Sequence, residues 1–149
     1  MTDKSFFSDD EWKALSEAPL YVTLAMAAVS EHGPISMVKE AAASAKLIAQ
    51  PGDRGSATAL IAAIAKDAQS SEARHDAKEH RGKTFEEAVE EACGQLAPAA
   101  AAIAKLPSDE ADAVRGWLVD IAKGIADASK GTSDKEQAAV DRITGVLAG

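Results

Sequence analysis

Apolar residues recur along this chain at helical spacing, and turn signals divide the stripes from one another. Three times a hydroxyl stands three residues before a carboxylate: Ser8 with Glu11, Thr84 with Glu87, and Ser133 with Glu136. That spacing lets two unpaired backbone N–H groups be satisfied reciprocally, so each pair predicts a helix start. Phe7, beside Ser8, is placed to pack on Trp12 as a hydrophobic staple, which predicts a short first helix over about residues 9 to 16. Pro19 suits the first turn of a second helix, over about residues 18 to 31, because its missing N–H would have no intrahelical partner there. Leu20, Tyr21, Val22, Leu24, Met26 and Val29 surround that helix and predict a path through the core. Gly33-Pro34 ends it, Ser36 caps a third helix carrying Val38, Ala41, Ala45 and Ile48, and Pro51-Gly52-Asp53-Arg54-Gly55 is a turn.

A fourth helix begins near Ser56 and buries Leu60, Ile61, Ile64 and Ala68; past Ser70 its apolar signal fades into a charged stretch ending at Arg81. A fifth presents Phe85, Ala88, Val89, Ala92 and Leu96, with Gly94 and Pro98 predicting a break or kink before a separate piece over 99–105. The cleanest stripe, Val114, Trp117, Leu118, Ile121 and Ile125, lies opposite Asp112, Arg115, Asp120, Lys123 and Asp127 in a helix from about 109 to 129. A last helix from about 134 buries Ala139, Val140, Ile143 and Leu147. The expected fold class is therefore all-α: a compact bundle of about seven helices forming a single domain over residues 1–149. Two stretches, 6–70 and 84–148, follow a similar order, in which Ala18-Pro19 and Ala97-Pro98 each lead to an apolar helix, a Ser-started helix, a Gly-containing turn and a closing helix.

Composition strengthens the helical reading, since 34 of the 149 residues are Ala and aromatics make up 4%, a mixture suited to closely packed helices. Charge narrows the partners. A net charge of -8 has the wrong sign for neutralising phosphates or anionic lipid headgroups, so neither nucleic acid nor membrane is expected as a partner. Cys93 is the only cysteine, which excludes an intrachain disulfide and a multi-thiolate zinc site and fits a cytoplasmic location. The opening ten residues break into acids before any signal-peptide core, so a soluble chain is expected.

Few residues suggest chemistry, and each has a plain structural account beside it. Glu86, Glu87, Glu90 and Glu91 cluster on one helix and could hold a hard divalent cation, but Glu86 and Glu87 also complement the helix dipole of a first turn. Glu72 and His75 have the Glu-x-x-His spacing of carboxylate-bridged di-iron bundles; no second copy exists, and Asp76, Glu79 and His80 complete a charge-rich, solvated stretch. Cys93 reads as a small buried thiol whose neighbours Glu90 and Glu91 disfavour the thiolate. Trp12, Tyr21 and Trp117 fall on apolar periodicities and read as core. Glycine-rich phosphate loops, dinucleotide fingerprints and nucleophile elbows are missing from the sequence, so no catalytic residue or cofactor is assigned and no enzyme is expected.

Glu31-His32-Gly33-Pro34-Ile35-Ser36 leading to Glu40 resembles the TerB-like family, small acidic helical proteins linked to tellurite resistance and stress. That family pairs a helix ending in an acid and Gly with a short turn and a helix start bearing Glu. The stretch from Asp127 through Gly131, Ser133, Asp134 and Glu136 is similar to a looser second copy. Two departures stand out: His32 occupies the place of the acid before Gly, and the second stretch has its acid four residues before Gly131 and no apolar residue after it. The resemblance implies an all-helical fold and a metal-binding role for Glu31, Glu40, Asp127, Asp134 and Glu136. The expected function is then a non-enzymatic helical domain whose carboxylates serve a protein partner or a weakly held divalent cation. The alternative is a bundle enclosing a small apolar ligand lined by Tyr21, Met26, Trp117 and Ile121.

Overall fold

Local capping chemistry sets the first element. Ser8 N–H donates to Glu11 Oε1 at 2.9 Å and Glu11 N–H donates to Ser8 Oγ at 3.2 Å, the reciprocal pair expected from their spacing. The Phe7 and Trp12 rings lie 5.9 Å apart, closing the staple. A computed structural model describes residues 2–29, 42, 44–70, 85–128 and 134–148. Its helices are α1 (Asp9–Val29), α2 (residues 44–49), α3 (Thr58–Ala68), α4 (Phe85–Ile103), α5 (Ser108–Ala128) and α6 (Asp134–Ala148). Short 3-10 helices stand at Lys4–Phe6 and Gly55–Ala57, and no strand occurs among the described residues.

The fold is all-α, as the periodicity predicts, but with six helices among the described residues where about seven were expected. The two expected breaks are not breaks. Pro19 lies inside α1 and Pro98 inside α4, and each helix runs through its proline. An internal proline removes one backbone bond and crowds the carbonyl four residues back, at a cost of about 3 kcal/mol. Packing overrides it: Leu15, Ala18, Tyr21 and Val22 flank Pro19 and are all buried, while Pro98 sits at an exposed position. Fully burying one such large apolar side chain contributes about 1.5–3 kcal/mol, so a few of them outweigh the local penalty. Gly94 likewise sits within α4 without ending it.

These two proline-bearing helices pack against each other along much of their length and form the centre of the bundle. α5 crosses α1, α6 packs on both α4 and α5, and α3 lies against α1. One continuous core results, with Trp117, Tyr21, Leu15, Met26, Leu96, Ile103 and Ile121 wholly buried in it. The Trp117 indole N–H would be left unsatisfied there, and it donates to the Leu47 carbonyl of α2 at 3.0 Å. Beside that bond α2 and α5 approach so closely that a Cβ on Gly124 would stand 2.6 Å from Leu47 Cδ1. The turn expected over 51–55 is present, with Gly52 and Gly55 at φ of 81° and 63°, backbone that glycine adopts without strain. The expected stop at Gly33-Pro34, the Ser36, Thr84 and Ser133 caps and the charged stretch over 71–81 lie outside the described residues.

Candidate functional site

The helix with the cleanest stripe also carries an acidic face. α5 starts after Pro107, whose carbonyl accepts the Ala111 N–H at 2.9 Å. Its stripe of Val114, Trp117, Leu118, Ile121 and Ile125 is buried, which turns the opposite side outward. Asp109, Asp112, Asp120 and Asp127 lie on that outward side at steps of three, eight and seven, which return to one helix face, with Gly116 and Lys123 between them. With a rise of 1.5 Å per residue the four carboxylates span about 27 Å of one face.

Two of the four are tied to another part of the fold, and a third has a neighbour on its own helix. Ser56 Oγ donates to Asp109 Oδ2 at 3.0 Å, Arg54 Nη1 donates to Asp120 Oδ2 at 2.8 Å, and Arg115 Nη1 stands 3.5 Å from Asp112 Oδ1. The 51–58 turn supplies two of these ties because its own bonds aim it. Arg54 Nε donates to the Pro51 carbonyl and Arg54 N–H to Thr58 Oγ1, both at 2.8 Å, while Asp53 Oδ1 accepts the Gly55 N–H at 3.0 Å. Asp109 and Asp112 are one helical turn apart, and the steps on to Asp120 and Asp127 are about two turns each, so the face offers spaced anionic positions to cationic side chains laid along the helix.

The residues onto which the family resemblance placed metal binding are distributed as follows. Asp127 is exposed near the end of α5, and Asp134 is exposed at the start of α6. Glu136, two positions on, is 2% exposed and faces the interior, so it and Asp134 point to different sides of one helix. Glu31 and Glu40 lie outside the described residues, as do Glu72, His75, Asp76, Glu79 and His80. Among the described residues no three His, Cys, Asp or Glu side chains converge into a metal-holding group. Of the α4 acids, Glu87 and Glu90 are exposed, and Glu90 pairs with Arg142 of α6.

Burial pushes the Cys93 thiol above its usual range; Glu90 adds to the rise and Arg142 opposes it. Trp12, Tyr21 and Trp117 are core residues, as their spacing predicts. Tyr21, Met26, Trp117 and Ile121 are packed within the same core, while a shallow depression of about 230 Å³ is lined instead by Ala49, Pro51, Ala62, Ala65, Lys66 and Gln69.

Two groups of residues escaped the sequence reading. Arg54 read only as part of a turn and Ser56 only as a helix start, because their partners on α5 are more than fifty residues away. Glu110 is 4% exposed despite standing in a first helical turn, where acids are normally solvated. Pro107 was a usable hint, since a proline three residues earlier has no N–H for that glutamate to cap. Lys105 Nζ, just ahead of α5, lies 2.5 Å from Glu11 Oε2 in the first turn of α1. Lys105 and the Ser8 N–H together hold the Glu11 carboxyl down to about 2.

No helix among the described residues is long and apolar enough to cross a membrane. Compared with protein-family models, curated proteins and solved structures, the chain matches none of them.

Proposed function

We propose that this chain is a non-enzymatic, cytoplasmic interaction domain of the TerB-like kind, whose outward α5 face takes a basic segment of a protein partner. The observation that carries this reading is the row of Asp109, Asp112, Asp120 and Asp127 on a helix whose other side is locked in the core. A rigid row of carboxylates attracts cationic side chains and steers their approach, and a net charge of -8 adds to the field. The all-α class is what the family resemblance implies. The single free, buried thiol suits a reducing compartment.

A weakly held divalent cation is the second reading, and it is favoured by the exposure of Asp127 and Asp134 near the junction of α5 and α6. Thermal melts with calcium, manganese or zinc separate the two, because a ligand that binds only the native state must raise the melting temperature. The partner reading expects no such rise at concentrations where a basic peptide binds. A saturable rise that is lost in D127N/D134N would replace it with the cation reading.

A further inference from the structure

Glu110 occupies the third position of α5, where a glutamate ordinarily reaches back to the N–H of the capping residue. The residue in that place is Pro107, which has no N–H to offer. Glu110 Oε1 instead accepts the backbone N–H of Thr2 at 3.3 Å, from 108 residues away. The carboxyl is buried, and Oε2 is shut off from solvent with no hydrogen-bond partner among the described residues. A capping group has thus been diverted into a tertiary contact with the N-terminal segment.

That segment touches three helices. Besides Thr2 on α5, Lys4 Nζ stands 3.7 Å from Asp67 of α3 and 5.5 Å from the Trp12 ring centre on α1. Phe7 is buried against Trp12, whereas Phe6 is half exposed, the one large apolar side chain so placed among the described residues. Most of these ties are weak: the Lys4 pair is solvent-exposed, and the Thr2 bond is long. Burying a carboxyl group with one oxygen unserved also opposes closure, because opening restores water to both oxygens.

We propose that residues 2–8 form a strap that opens from the bundle and loses its short 3-10 turn as it does so, that Glu110 is its latch, and that opening bares the Phe7–Trp12 seat. The strap's own hydrogen bonds report the motion: the Phe6 and Phe7 N–H groups donate to the Asp3 and Lys4 carbonyls, each at 3.1 Å. Amide hydrogen exchange is the test, in the full chain and in Thr2→Pro, which deletes the donated N–H without touching the bundle, and Glu110→Ala, which deletes the latch. Thr2→Pro is expected to speed exchange at Phe6 and Phe7 about 2- to 10-fold, the equivalent of one hydrogen bond, Glu110→Ala to speed it less because it also relieves the buried oxygen, and both to leave α4 and α5 core amides unchanged. Unchanged Phe6 and Phe7 exchange in Thr2→Pro, or equal acceleration of strap and core amides in Glu110→Ala, would overturn it.

Discussion

Arg54 Nη1 lies 2.8 Å from Asp120 Oδ2, joining the turn after α2 to the middle of α5 across 66 residues of sequence. The two ends of this bond are not equivalent. Arg54 is 20% exposed and also serves the Pro51 carbonyl, whereas Asp120 is 46% exposed. Asp120→Ala is expected to cost less than about 1 kcal/mol, in line with half-exposed ion pairs, and Arg54→Ala about 1–2 kcal/mol. Urea unfolding of both variants and their double mutant checks this, with a coupling of about 0.5–1 kcal/mol expected.

Gly124 and Leu47 give a prediction whose sign depends on the partner. An added Cβ would crowd Leu47 Cδ1, so Gly124→Ala in the native background is expected to be neutral or destabilising by up to about 2 kcal/mol. In a Leu47→Ala background the crowding is gone, and the helix preference for alanine should make the same change stabilising by about 0.5–1 kcal/mol. Denaturant melts of the four proteins show whether the sign reverses.

Pro98→Ala is expected to stabilise, because the position is exposed and α4 would regain a backbone donor. A gain of about 1–3 kcal/mol is expected, which for a chain of this size raises Tm by several degrees. Pro19→Ala should gain less, since the Pro19 position is buried and its ring is lost from the packing. Differential scanning calorimetry of the two variants ranks them.

The cap at the start of α1 makes an acid-side prediction. The folded carboxyl of Glu11 lies below its ordinary value of 4.5, at about 2, so its contribution is fully present above 4.5 and is lost as pH falls toward 2. Glu11→Gln should therefore flatten the pH dependence of stability within that window and leave it unchanged near neutrality. Chemical denaturation at several pH values between 2 and 7 is the check.

Cys93 should react slowly. Its buried thiol is raised above the usual range, so labelling by a disulfide reagent at neutral pH is expected to be far slower in the native protein than in denaturant. Equal rates in the two states would place the thiol at the surface.

How much of this was legible in the sequence depends on how local each signal is. The Ser8–Glu11 cap, the Phe7–Trp12 staple and the α5 stripe are set by residues within about three turns of one another, and each is present as read. Pro19 and Pro98 misled because a local helix breaker was outweighed by tertiary burial that no short window contains. The acids of the α5 face were visible as a polar side, but their ties to Arg54 and Ser56 were not, because they join distant parts of the chain. Glu110 escaped for the same reason: its partner, Thr2, belongs to another end of the sequence.

The claim that matters most is that the α5 face receives a basic partner segment. Its most direct test is a ¹⁵N NMR titration with a short oligolysine peptide, run on the native chain and on Asp112→Lys/Asp127→Lys at matched low salt. Saturable shifts centred on Asp109, Asp112, Gly116, Lys123 and Asp127, lost in the double variant while its fold persists, are predicted. Shifts scattered over all the acidic residues, or unaltered by the charge reversal, would contradict it.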